Sequence, residues 1–216
     1  MNWNNVLPNL EPSLQIVVLL VILSMLPLIV VTMTPFLRIL IILSLLRTAL
    51  GTQQVPPNLV IIGIAMIITG YVMGPSLSQM NETALIPLSN QQITVPTAIG
   101  EAYKPLRKFM LKQTEMKDLA FFYRISNEPN PKSPEEVGFR QLIAAFLLSE
   151  LRTAFQIGFL IFIPFLVIDL IIANILLALG MIMLSPTIVS LPFKLLIFVA
   201  VDGWTLIIKG LVESFN

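Results

Sequence analysis

The chain of 216 residues is 56% hydrophobic and only 12% charged, whereas about a quarter of the residues in an ordinary soluble domain are charged. That is a membrane-class composition, and a formal net charge of +1 with dispersed basic residues implies no nucleic-acid partner. With no cysteine and no histidine, inventory alone excludes disulfides, thiolate nucleophiles, serine-histidine-aspartate triads and nearly all zinc sites, and no cofactor or enzymatic activity is implied.

The opening MNWNNVLPNLEPS lacks the basic n-region of a secretory signal, so the first apolar run is expected to be retained. From Leu14 to Leu37 no charge interrupts the sequence, which is long enough to span about 30 Å of hydrocarbon at about 1.5 Å per helical residue. The apolar character continues past Arg38 to Arg47, predicting a very long helix or a bent pair, with Pro27 and Pro35 as bending points. GTQQVPPN, from Gly51 to Asn58, reads as a turn. Leu59 to Met73 is apolar on all faces, with Gly63 and Gly70 as small positions where another helix could approach closely.

Between Asn81 and Arg140 fall eight of the thirteen basic and seven of the twelve acidic residues, which marks a water-exposed region. Within it Leu106, Phe109, Met110, Gln113, Met116, Leu119, Ala120 and Tyr123 recur at three- and four-residue spacing, with Lys108, Lys112, Glu115 and Asp118 largely on other faces. This predicts one amphipathic helix. NEPNPKSPEE is a turn-rich linker in which Ser133, Pro134 and Glu136 have the pattern of an N-cap, a first-turn proline and a capping-box acid, so a helix is expected to start there. It leads into an apolar run too long for one span, where Pro164 and Asp169 predict another kinked hairpin. The last segment, Thr187 to Val212, is interrupted by Pro192, Lys194 and Asp202. Four hydrophobic regions result, although internal charges leave open how many of them cross a membrane.

The expected fold is all-α, a membrane-associated protein of kinked helical hairpins. Residues 1–80 form an N-terminal hydrophobic hairpin region with two apolar segments. Residues 81–140 form a polar, mostly helical extramembrane insertion, and residues 141–216 a C-terminal hydrophobic hairpin region.

An ionised group in a membrane or packed core costs several kcal/mol unless paired, so Arg38, Arg47, Glu150, Arg152, Asp169, Lys194 and Asp202 are singled out. Their balanced signs favour pairing across helices or between subunits over an intramembrane proton relay through Asp169, Asp202 and Glu150. LALGMIMLSP, from Leu177 to Pro186, is an unusually apolar connection. Met181 and Met183 could simply fill irregular gaps, the reading that side-chain chemistry alone favours. They could instead form a deformable, unwetted constriction on a loop permitted by Gly180 and Pro186.

LRTALGTQQVPPN, PLRKFMLKQT, SELRTAFQIGF, FIPFLVIDL, GMIMLSP and LPFKLLIFVAVDGW together resemble the FliP family of bacterial type III secretion export gates, over nearly the whole chain. The family includes flagellar proteins and their injectisome relatives, the SctR proteins. The resemblance implies a helical oligomeric export gate in which about five copies of the chain join FliQ-like and FliR-like subunits, repeating one interface around an axis. It also implies FlhB-like and FlhA-like partners, a cytoplasmic ATPase complex, and unfolded export substrates as cargo. The implied location is the bacterial inner membrane, at the flagellar basal body, with segments that read as transmembrane largely buried against protein. GMIMLSP occupies the place of the family's methionine-rich pore loop, which makes Met181, Ile182 and Met183 the matching gasket positions. Ile182 departs from the usual run of three methionines and stiffens one position. Further departures are TPFLR where a TSFTR-like run is common, Glu115 for a usual arginine, and Ala144 for a frequent proline. The resemblance further implies that Asp169 and Lys194 pair between hairpins or subunits. The wording of the motifs leans toward the flagellar branch, with the injectisome branch as the alternative. A small-solute or proton transporter and a pore-free scaffold are the readings from other classes.

Overall fold

The computed structural model describes residues 12–52 and 54–215. The described residues form helices joined by turns and irregular stretches, with no strand among them. The helices are α1 (Pro12–Met33), α2 (Phe36–Leu50), α3 (Asn58–Met80), α4 (Ile86–Ser89), α5 (Val95–Gln113), α6 (Met116–Ile125), α7 (Phe139–Ala178), α8 (Pro186–Ala200) and α9 (Gly203–Glu213). A π-helical stretch, Asn81–Leu85, joins α3 to α4, and a short 3-10 turn, Pro134–Glu136, precedes α7.

The long Leu14–Arg47 run is a pair of helices: α1 ends at Met33, Pro35 lies in the break, and Pro27 is carried inside α1. Gly51 ends α2 with φ +79°, a left-handed conformation that glycine adopts without steric cost. Among the described residues two helices, Asn58–Ser89 and Phe139–Ala178, are long and apolar enough to cross a membrane, and up to four spans result if each bent pair counts as one.

The chain forms two compact units. The first takes in residues up to Pro35 together with Gly70–Glu150. Its core gathers Met110 of α5, Leu119 and Tyr123 of α6, Val137, and Leu142, Ala145 and Phe146 of α7, with Phe109 packed edge-on to Phe146 at 6.0 Å. Here the single amphipathic helix expected from the periodicity is broken into α5 and α6. Thr114 and Glu115 are extended, with ψ 127° and 134°. The Glu115 N–H donates to Ser149 Oγ at 3.0 Å, and Ser149 in turn donates to Asp118 Oδ2 at 2.8 Å. Asp118, which the spacing placed on an outer face, is 2% exposed, and it lies in the first turn of α6, where a carboxylate suits the helix dipole.

The expected helix start at Ser133 is also displaced. Ser133 makes no side-chain cap bond there, and the turn ends at an extended Val137. Arg107 Nη2 donates to the carbonyls of Pro134, Glu135 and Val137 at 2.8, 3.0 and 2.7 Å, so a guanidinium takes up carbonyls that a continuing helix would have used. The Ser133 hydroxyl, assisted by a backbone hydrogen bond and by the Arg107 charge, holds the exposed Glu135 carboxyl below its ordinary range.

The second unit comprises Phe36–Thr69 and Leu151–Asn216. Leu46, Ala49, Leu50, Phe165 and Phe198 form its core, extended by Trp204 edge-on to Phe198 at 5.5 Å. Leu45 of α2 lies where a side chain at Gly158 of α7 would sit, so glycine permits that close packing. At Gly63 and Gly70, by contrast, a Cβ would meet no neighbouring atom of the chain within 4 Å.

The hairpin expected to turn at Pro164 and Asp169 does not form there. α7 runs unbroken for 40 residues with Pro164 inside it, about 60 Å at the α-helical rise. Proline removes one hydrogen bond but leaves every other backbone pair intact, and an apolar surrounding penalises the loss of those pairs far more than the loss of one. The turn comes instead after Ala178, at the segment that holds the two methionines.

Candidate functional site

The connection between α7 and α8 is built by its end caps. Gly180 has φ +74°, its N–H donates to Leu177 O at 3.0 Å, and the Met181 N–H donates to Leu176 O at 2.9 Å. These are the two bonds of a Schellman motif, in which the left-handed residue after a helix satisfies its last carbonyls. At the other end Pro186 occupies the first position of α8 after an extended Ser185, where a missing N–H costs nothing. Gly180 and Pro186 therefore stand at the two ends of the loop.

The loop turns its apolar side chains outward. Met181 is 47%, Ile182 80% and Met183 100% exposed. Methionines filling a gap would be covered, so core filling within this chain is not what these residues do. A tip of thioethers and a branched alkyl group is deformable and hard to wet.

Below the loop lies an ionic cluster that is buried at Lys194 and Ser190 and half-buried at Asp169. Lys194 of α8, 2% exposed, places Nζ 2.7 Å from Asp169 Oδ2 of α7 and 3.1 Å from the carbonyl of Ala49 in α2. Ser190, fully buried, donates to the other oxygen of Asp169. Opposite charges that would be costly alone are thus joined inside one chain.

The other singled-out charges are scattered. Arg38, 2% exposed, donates to Ser214 O at 3.3 Å and stacks 4.1 Å above the Phe215 ring, a cation at the carboxyl end of α9. Arg47 is half-buried and donates to Asn58 Oδ1 at 2.6 Å and Pro56 O at 3.2 Å, fixing the loop after α2. Glu150 is fully buried and Arg152 half-buried, each engaged by other groups. Asp202 is exposed within the chain. Its left-handed backbone, φ 52°, makes the break between α8 and α9, which are bent by 66°, and aspartate is among the few residues that tolerate that conformation. Sequence reasoning missed Asp118, Ser149, Ser190 and Arg107. Only Asp118 carried a signal, as an acid three residues after a helix-starting position.

Comparison with known proteins covers this same architecture. The FliP family matches residues 19–211. A flagellar biosynthetic protein FliP of Bacillus subtilis is 46% identical over 207 residues, 96% of this chain and 94% of the relative. The protein of that name from Pectobacterium carotovorum is 50% identical over 94% of this chain and 79% of its own length, and that of Caulobacter vibrioides 48% over 95% and 77%. The matched span takes in α2 through α8 and the whole of the capped methionine loop; the chain belongs to the FliP family.

Proposed function

We propose that the chain is a core subunit of the flagellar type III protein export gate. About five copies, joined by a repeated heterologous interface with FliQ-like and FliR-like subunits, surround a central pore in the bacterial inner membrane at the basal body. Unfolded rod, hook and filament substrates pass through it. FlhB-like and FlhA-like proteins receive and present those substrates, and the energy comes from partners, since the gate performs no chemistry of its own. Met181, Ile182 and Met183 project from each copy and close around the passing chain. The flagellar reading is favoured over the injectisome one by the names of the relatives.

One observation carries the proposal. Between two apolar helices stands a turn with both ends capped and its tip, Met183, fully exposed, an arrangement that wastes apolar surface unless something closes on it.

The chain contains no cysteine, so an introduced one reports alone. In an assembled gate, a Met183→Cys subunit is expected to form a mixed disulfide with a single-cysteine export substrate stalled in transit. Phe159→Cys, on the exposed face of α7, is expected to form none. Cross-linking of the substrate at Phe159→Cys but not at Met183→Cys would place its path elsewhere and defeat the proposal.

A further inference from the structure

Ser190 lies one helical turn before Lys194 on α8 and is fully buried. Its hydroxyl donates to Asp169 Oδ1, Lys194 Nζ donates to Oδ2 at 2.7 Å, and so a single carboxylate of α7 is gripped at both oxygens by α8. Lys194 extends the contact to Ala49 O at 3.1 Å, near the end of α2. Ser190 Oγ also lies 3.1 Å from Thr187 O, within its own helix. Three helices of the second unit are tied at one point.

A carboxylate held by one ammonium can still turn about its terminal bond, and a second donor removes that freedom. The tie lies about 13 Å along α7 from Ala178 and about 6 Å along α8 from Pro186, at the α-helical rise. Between the tie and the turn both arms are helix, and the turn itself is closed by the Schellman bonds of Gly180 and Met181. A shift at the tie is therefore delivered to the tip with little slack.

Resting on the reading of the loop as a seal, we infer that Ser190 is a positioning residue. It holds Asp169 in the orientation that Lys194 requires, and thereby keeps the loop backbone in place while the side chains of Met181, Ile182 and Met183 yield to the substrate. Substrate size is then accommodated by thioether rotation, and the hairpin acts as a fixed mount.

The test uses the complete gate, co-expressed with its partner subunits, and compares closed-state ion leak with the yield of assembled complex. Ser190→Ala is expected to assemble like the parent and to leak about tenfold more, the population shift that follows from losing a hydrogen bond to a charged group. Ser190→Thr, which keeps the hydroxyl, is expected to restore most of the seal. Parental leak in Ser190→Ala overturns the inference, as does equal leak in the threonine variant, because packing rather than the hydroxyl would then be responsible. Failure of Ser190→Ala to assemble overturns it too, since the serine would then build the fold instead of aiming the loop. A Met181→Ala/Met183→Ala gate measured alongside separates the two ideas. If it leaks while Ser190→Ala does not, the seal stands and the positioning role falls; if it stays tight, the seal itself falls.

Discussion

Lys194 brings an ammonium into a position that is 2% exposed, where one carboxylate and one carbonyl answer it. Removing the carboxylate leaves an uncompensated buried charge, so Asp169→Ala is expected to cost about 3–5 kcal/mol and to lower the yield of folded subunit sharply. Exchanging both charges, Asp169→Lys with Lys194→Asp, recovers only part of that loss. A carboxylate at position 194 would face Ala49 O, whereas Ser190 can reverse its role and accept from a lysine at 169. Full recovery in a stability or assembly assay would show that the Ala49 contact contributes nothing. The cost of an acid and a base inside apolar runs singled out both residues, but the choice of Lys194 as the partner of Asp169 came from the family resemblance. Ser190 was not singled out, since a serine in a helix usually bonds to its own backbone and only the fold reveals a second acceptor.

The α7 to α8 turn depends on a backbone conformation that alanine tolerates poorly. Gly180→Ala is expected to destabilise the turn by about 1 kcal/mol, the cost of a left-handed non-glycine residue, detectable as faster amide exchange at Met181 and at position 180 itself. Unchanged exchange would mean the Schellman bonds do not hold the loop. At the α5 to α6 break, Ser149→Ala removes the hydrogen bonds that the serine hydroxyl makes to the Glu115 N–H and the Asp118 carboxylate. The expected cost is about 1–3 kcal/mol, read as a lower unfolding midpoint of the complex, and an unaltered midpoint would assign the break to Thr114 alone. Hydropathy located the apolar regions, and Gly51 marked the end of α2 because its signal is local. The break at Glu115 and the late start of α7 were illegible because each is decided by a partner far along the chain, while the passage of α7 through Pro164 was illegible because it is decided by the apolar surrounding of the helix. Ser149 lies 34 residues from Glu115 and Val137 lies 30 from Arg107.

At the scale of the molecule the apolar surface is far larger than one chain can cover. Phe155, Phe159, Leu160, Leu170 and Ile171 of α7 are all more than half exposed, and only 11% of the most apolar window of α7 is buried inside the chain. Lipid or other subunits must cover that surface. Mild-detergent purification is expected to recover the chain with small hairpin-type membrane subunits in a defined complex. Recovery as a solitary, transport-competent oligomer would favour the transporter instead.

The sealing role proposed for the α7 to α8 loop is the central claim, and ion conductance across a membrane holding the assembled gate tests it most directly. Replacing Met181 and Met183 by alanine removes the two exposed thioethers and leaves Gly180 and Pro186 at the ends of the turn. A gate with both alanines is expected to pass ions at rest while its subunit composition stays unchanged. A gate that assembles normally and remains as tight as the parent would contradict the account.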